Sequence, residues 1–408
     1  MTSLSFMPLS LAEGFAQARR APAPPIIFGR EAVFVDLPDA SEAADATLFA
    51  RHRVLDAGNV LAAVVQKGRL FERAHPDVSV VRRRGRFLLV ELLPDHPALV
   101  ERADKPCYAV YRVEPGTEIF RDLGPAELRV QRDAAVEAVI NRLSIATFCN
   151  TLEQLVGLRT RLSTTAFYRS AAAMCRERLE ACGYAAEIRS FPLEGGESSN
   201  VVTTGTGAAA VVIVGHLDSV NHDDGPDGSA PGADDNGSGS AGIIAMAEAL
   251  QGVQEQVAVR FVLFGGEEQG LHGSRHLVAN LSNDERVALK AVINMDMIGN
   301  LNVLPDGTAV APSVLIEGAN VSRELIEHLS VQAATYTDLA VQTSLTPFAS
   351  DHVPFITAGL PAVLTIEGAD HANDRIHTAA DTIEHIDPAL AHQILRMNTA
   401  YVASLAHS

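Results

Sequence analysis

Positive charge is scarce in this chain. Against 50 Asp and Glu it carries 32 Lys and Arg, a formal net charge of −18. A phosphate backbone or an anionic membrane demands a positive face, so neither nucleic acid nor a charged lipid surface is expected as a partner. The imbalance is compatible with a site that attracts cations, although a solvated acidic surface accounts for most of it. Long apolar runs are missing too. The longest near-continuous one, Ala208 to Val214, is far too short to span a bilayer. Between Met1 and Pro25 no basic stretch precedes an apolar core, and Arg19 and Arg20 come late, so no standard signal peptide is visible. Cysteine is sparse, and Cys107, Cys149, Cys175 and Cys182 form no Cys-x-x-Cys pair, which removes thiolate zinc and redox motifs. Cys175 and Cys182 lie two turns apart on an expected helix, roughly 10 Å at 1.5 Å per residue, too far for a bridge. Scattered, unpaired cysteines lean the chain towards the cytoplasm.

What is present reads as an ordinary globular protein, with 47% apolar and 20% charged residues over 408 positions. The first 25 residues are polar and end in Ala-Pro-Ala-Pro-Pro, a stiff extended segment. Residues 1–125 are expected to form a small α+β domain. Its strands are Ala32–Leu37, Arg86–Leu93 and Tyr108–Val113, and its helix is Ala62–Ala74. The run Arg82-Arg83-Arg84 with Arg86 reads as a solvated turn between strands. This part carries no ligand-spaced cluster of its own. It is expected to act as a propeptide-like segment or lid docked on the acidic remainder.

Residues 126–408 begin with helical spacing at Ala134–Leu158 and Thr165–Gly183. Strand and helix then alternate: Ala186–Phe191, Asn200–Thr204, Ala209–Val214, a helix Ser238–Leu250, and a strand opening at Val257. A helix Gly270–Leu281, strands Ala291–Met295 and Ser313–Glu317, a helix Ser322–Ala334, a strand Pro361–Ile366 and a closing helix Pro388–Ala406 follow. That order implies an α/β domain, a mixed and mostly parallel sheet with helices on both faces.

The chemistry gathers at strand ends. Val257 to Phe264 is a buried-strand pattern stopped by Gly265-Gly266, and two adjacent carboxylates, Glu267 and Glu268, follow the turn. Ligands in open α/β sheets bind outside these carboxyl ends. Two such glutamates repel unless a cation or a shared proton intervenes. Four more segments bring metal-type residues. His216-Leu217-Asp218 follows its strand, with Asp218 placed to accept from the imidazole nitrogen that binds no metal. Asp235 lies in Gly232-Ala233-Asp234-Asp235-Asn236 before a helix, Asp296 ends a strand, and His377 sits in a polar loop. This is an inventory for a pair of divalent ions.

With these motifs in order, the sequence resembles the co-catalytic zinc aminopeptidases whose best-known members are the secreted bacterial leucine aminopeptidases. Besides the segments above, Glu267-Glu268-Gln269-Gly270-Leu271-His272-Gly273-Ser274, Asp296-Met297, Ser350-Asp351-His352 and Arg375-Ile376-His377-Thr378 with Asp381-Thr382 carry the likeness, over residues 130–408. The resemblance implies two zinc ions per chain bridged by Asp235, with His216 and Asp296 completing one site and Glu268 and His377 the other. It leaves Glu267 as general base, with Asp218 beside it in the catalytic set, and places Met297, Leu345, Ile366 and Ile376 near the substrate side chain. The implied reaction removes apolar N-terminal residues such as Leu from peptides. Ser350, Asp351 and His352 are implied to be supporting residues. Relatives can place a tyrosine just before that Ser-Asp-His to steady the oxyanion; here the stretch is Ser344-Leu345-Thr346-Pro347-Phe348.

Other readings weigh less. Gly237-Ser238-Gly239-Ser240-Ala241-Gly242 fits a dinucleotide fingerprint literally. An acidic loop precedes it, however, and Asp234 and Asp235 would repel a pyrophosphate. The glycines read instead as close packing under the metal pair. Carboxypeptidase action or glutaminyl cyclisation on the same scaffold remains open, as does a binding module without chemistry. A complete ligand set with a spare Glu267 favours hydrolysis. His222, His272, His276, His328, His385 and His392 read as surface or core histidines.

Overall fold

In the computed structural model, residues 2–12, 16, 23–36, 51–100, 108–124, 128–205, 210–253, 256–300, 303 and 307–406 are described. Cys107 lies outside them, as does part of the Ala208–Val214 run. The chain divides into two units, residues 1–123 with 342–348, and residues 124–341 with 349–408.

The larger unit is built on a mixed sheet. Val259–Phe264, Val211–His216, Ala291–Met295 and Ala362–Glu367 run parallel in that order. Antiparallel strands flank them: Gly196–Thr204 and Ala185–Leu193 on one side, Ser313–Glu317 on the other. The central strands are β-branched and apolar, and Val211–His216 and Ala291–Met295 are buried throughout, as parallel strands under helices must be. Capping sets where the helices begin. The Ser144 hydroxyl accepts the Thr147 N–H at the head of Ile145–Val156, and the Thr165 hydroxyl accepts the Tyr168 N–H at the head of Ala166–Ala181. The expected helix Ala134–Leu158 is two helices, Ala134–Ile140 and Ile145–Val156, because Ser144 starts a new one.

Parallel neighbours end at the same edge. His216 pairs across to Phe264, and Asp296 follows Met295 on the other side of the His216 strand. The segments of His216, Glu267-Glu268 and Asp296 are therefore delivered to one rim by sheet register alone.

The smaller unit differs from the sequence expectation in three places. Ala62–Ala74 is not a helix. Val60–Gln66 is a strand paired on both edges, with Phe87–Leu92 and Tyr108–Arg112, and only Leu70–Ala74 is helical. The Ala-Ala-Val-Val run satisfies either period, and burial between two strands selects the extended one. The first 25 residues also hold a folded element, Ser3–Pro8, which pairs antiparallel with Glu31–Val35 and Arg51–Val54. Residues 342–348 belong with this unit. The Ser344 hydroxyl donates to the Ile119 carbonyl at 2.9 Å, and the Gln342 amide to Asp122 at 2.9 Å.

The basic run is not a solvated turn: Arg82, Arg83 and Arg84 end the strand Ser79–Arg84, Arg86 is buried, and the three strand arginines close on acids of their own unit. Arg82 pairs with Glu31 at 3.0 Å, Arg84 with Asp122 at 2.6 Å, and Arg83 with Glu72. No helix among the described residues is long and apolar enough to cross a membrane.

Candidate metal centre

Asp235 is the middle of the site. One carboxylate oxygen lies 3.2 Å from His216 Nε2 and the other 3.0 Å from His377 Nε2. His216 Nε2 is also 3.3 Å from Asp296, and His377 Nε2 is 3.1 Å from Glu268. Two three-residue groups result, His216–Asp235–Asp296 and Asp235–Glu268–His377, with the ligand atoms of each group within 4.8 Å of one another. They share Asp235. His216, Glu267 and Glu268 form a third such group.

The surroundings are built to hold these atoms still. Asp218 accepts the backbone N–H groups of both Glu267 and Glu268, at 3.3 and 3.2 Å. His216 Nδ1 meets the Asp218 backbone carbonyl at 3.1 Å, and the carboxylate only at 3.7 Å. Asp218 therefore anchors the glutamate turn more directly than it holds the imidazole. Gly266 takes φ +68 in that turn, a left-handed conformation open to glycine. Asp381 accepts the Asp234 and Asp235 N–H groups at 3.0 Å each, the same two-point device on the other loop. Ser350 donates to Asp296 Oδ2 at 2.8 Å, and Asn294 donates to Ser350 at 2.8 Å, which leaves Asp296 Oδ1 facing His216. Asp351 and His352 are fully buried, with His352 Nε2 3.5 Å from Glu317.

Left-handed backbone at non-glycine residues recurs at this rim, at Met297 (φ 54), His377 (φ 59) and Leu271 (φ 61). Such conformations persist where the surrounding structure over-determines them, and they cluster at functional sites.

Electrostatics favour cations here. Burial pulls His216 down, but Glu267 and Asp296 overcome it and hold the imidazole well above its ordinary pKa. His377 follows the same pattern, burial opposed by Glu268 and Asp235. Burial pushes three further carboxyls up, Asp234 and Asp351 to about 7 and Asp381 to about 8. Glu367 is raised as well, by burial and then by Asp234. Glu268 Oε1 is buried without a hydrogen-bond donor. An array of buried carboxylates around two imidazoles fits divalent ions, whose ligands it already brings within reach of one another.

The residues expected near the substrate side chain are less open. Met297 and Ile366 are 1% and 2% exposed, and Ile366 lies inside its strand opposite Leu315. Ile376 is 8% exposed, and Leu345 falls in the segment that belongs with the smaller unit. The glycines of the fingerprint-like run pack tightly. A Cβ on Gly239 would meet the Met295 carbonyl at 2.4 Å, and one on Gly242 would meet Leu395 at 2.8 Å. The sequence reads His222 as a surface or core histidine, and its side chain is exposed. Its ring lies 4.6 Å from that of His377, and its N–H donates to the His377 carbonyl at 2.9 Å.

The profile of Peptidase family M28 matches residues 200–402. The probable leucine aminopeptidase 1 of Trichophyton verrucosum is 30% identical over 292 residues, which span 67% of this chain and 77% of that protein. The chain belongs to peptidase family M28. Solved structures share its α/β fold. The LapA aminopeptidase of Legionella pneumophila aligns at TM-score 0.59 and 20% identity over 86% of this chain and 99% of its own. BSAP, a zinc aminopeptidase from Bacillus subtilis, aligns at 0.55 and 17% over 64% and 95%. Porphyromonas gingivalis glutaminyl cyclase aligns at 0.52 and 20% over 64% and 98%. At such identities the likeness concerns the fold, and a cyclase on that fold means that reaction type is argued from the residues.

Proposed function

We propose that this M28 peptidase is a two-zinc aminopeptidase that removes apolar N-terminal residues from peptides. One observation carries the reading: the two oxygens of Asp235 face two different histidines, each with its own further carboxylate. His216, Asp235 and Asp296 would hold one ion, and Asp235, Glu268 and His377 the other. Zinc fits the mix of imidazole and carboxylate, and the name of the Bacillus neighbour supports it. Bound there, the pair supplies Lewis-acid polarisation of the scissile carbonyl and a water acidified towards neutral pH. Three ligand carboxylates against two divalent ions would leave a local excess of positive charge beside Glu267, which favours its carboxylate form.

Glu267 is buried at 6% exposure and joins the group with His216, while Glu268 lies 3.1 Å from His377. Glu267 therefore takes the proton of the attacking water and returns it to the departing amine. Its backbone is fixed by Asp218, so the carboxylate needs no reorganisation to act. A free substrate α-amine, cationic or hydrogen-bonding, suits the acidic rim, and the names of the curated relatives support leucine at that position.

The experiment compares Glu267→Gln with Glu268→Gln. The first should keep both metals and turn over about 10²–10⁴-fold more slowly, the usual effect of losing a proton shuttle. The second should lose metal. Near wild-type activity in Glu267→Gln, or metal loss in that variant, would overturn the assignment. Rates on leucine p-nitroanilide and its N-acetyl form separate aminopeptidase action from the alternatives, since equal rates would exclude it.

A further inference from the structure

Arg161 is fully buried in the larger unit, and every hydrogen bond of its guanidinium goes to a backbone carbonyl. Nε donates to Leu217 O at 2.8 Å, Nη2 to Gly232 O at 2.8 Å, and Nη1 to Pro231 O and, at 3.4 Å, to Leu155 O. Leu217 stands between His216 and Asp218, and Pro231-Gly232 leads into Asp234-Asp235. The backbone of Arg161 joins the same frame. Its N–H donates to Ser219 Oγ at 3.0 Å, and that hydroxyl donates to Ala230 O at 2.7 Å. Gly232 is fitted to the arrangement: at φ +52, a Cβ there would meet Asp235 O at 2.5 Å, Ser219 Cβ at 2.5 Å and Arg161 Nη2 at 2.9 Å.

A buried charge is costly, and a buried arginine with no ion-pair partner among the described residues needs a reason. Burial pulls the Arg161 pKa down, while the charges of Asp381, Asp218 and Asp235 hold it up. A fork of planar donors can bind several carbonyls at fixed angles, which an ammonium cannot do.

We infer that Arg161 is a positioning residue for metal binding, which locks the turn carrying His216 and the loop carrying Asp235 to one rigid anchor. Asp381 holds the second loop from its N–H side, at Asp234 and Asp235, while Arg161 holds it from its carbonyl side, at Pro231 and Gly232. The inference rests on the reading of His216 and Asp235 as metal ligands. His377 is carried by a loop that Arg161 does not touch among its described hydrogen bonds, so loss of Arg161 should weaken the ion held by His216 first.

The test uses the full chain and zinc alone. Zinc affinities are measured by chelator competition for wild type, Arg161→Lys and Arg161→Met, with melting temperatures taken with and without metal. Failure of the wild type to bind zinc would unseat the metal reading itself. With wild type binding two ions, both variants should bind zinc roughly 10–100-fold more weakly, the usual effect of losing an outer partner of a metal ligand. The rise in melting temperature on adding zinc should shrink with it. A role in folding alone would lower both melting temperatures together and leave zinc affinity unchanged. A pure charge effect predicts the opposite sign for Arg161→Met, since removing a buried positive charge beside the site favours cations. Unchanged affinity in the lysine variant, or tighter binding in the methionine variant, overturns the inference. If neither variant folds, Ser219→Ala loosens the same frame from its edge. It should weaken zinc binding severalfold, and wild-type affinity there would equally overturn the inference.

Discussion

The two units bury acid in opposite ways. In the smaller one the acids meet protein cations. Glu91 accepts from Arg53 at 3.0 Å, Glu31 from Arg82, Asp122 from Arg84, and Glu72 from Arg69 and Arg83. In the larger one Asp218, Asp234, Asp235, Asp296, Asp351, Asp381, Glu267 and Glu367 are all buried, and among the described residues of that unit Arg161 is the one buried Lys or Arg. The first arrangement completes itself. The second is arranged for cations that come from outside, because so many carboxylates packed together cannot all stay ionised in a dry interior. Acid density is therefore a poor marker of a site in this chain, and acid density without neighbouring bases is a good one.

Removing an acid should thus have different consequences in the two places. The largest effect is expected from Asp235→Ala, which takes a shared ligand from both groups. Metal analysis should show loss of at least one ion, with activity falling together with it. Full occupancy would break the bridge assignment. In the smaller unit, Glu91→Ala leaves Arg53, the Asp56 N–H and the Asn59 amide without their acceptor. Unfolding should become easier by about 1–3 kcal/mol, the cost of stranding partly buried donors. Zinc content should not change. Metal loss in Glu91→Ala would erase the contrast between the units.

Much of this contrast was legible in the sequence, and what was not has a common cause. Three of the candidate segments, those of His216, Glu267-Glu268 and Asp296, stand at the ends of β-branched strands whose period and stop signals are local, so their position on one rim could be read before the sheet was seen. Arg161 and Asp381 carry no such signal. Their partners are backbone carbonyls and N–H groups of residues far along the chain, and main-chain groups have no signature in a sequence. The bond from the His222 N–H to the His377 carbonyl is hidden for the same reason. Ser3–Pro8 was missed because its identity as a strand lies in pairing with Glu31–Val35 and Arg51–Val54, not in its own pattern. Likewise the return of residues 342–348 to the smaller unit follows from bonds such as Ser344 to Ile119.

Protonation sharpens the comparison further. Burial holds Asp351 near 7 and Asp381 near 8, far above the ordinary carboxyl value of about 4. Between those limits the folded, metal-free chain binds more protons than the unfolded one. Its stability therefore falls as pH rises from roughly 4 to about 8, and the raised His216 and His377 push the same way. Zinc requires deprotonated ligands, so the stabilisation it adds should grow with pH over that range. Thermal melts at pH 5 and pH 8, with and without zinc, check this. A metal-free chain more stable at pH 8 than at pH 5 would contradict the sign.

The smallest effect should come from a base in the smaller unit whose acid is held several times over. Glu72 accepts from Gln66 at 3.1 Å, from Arg69 Nε and Nη2 at 3.1 Å each, and from Arg83. Arg83 is about half exposed at its side chain, so solvent screens its pairing with Glu72. Burial lowers its pKa, and repulsion from Arg69 lowers it further, so part of its attraction to Glu72 is offset by its neighbour. Arg83→Gln leaves Glu72 bidentate with Arg69 and bonded to Gln66, and it relieves that repulsion. The change in unfolding free energy should stay within about 0.5 kcal/mol, the scale of an exposed pair. Denaturant melts of Arg83→Gln beside Glu91→Ala measure both on one scale. A loss in Arg83→Gln as large as that in Glu91→Ala would mean that the arginines of this unit are not redundant, and that its acids depend on each base singly.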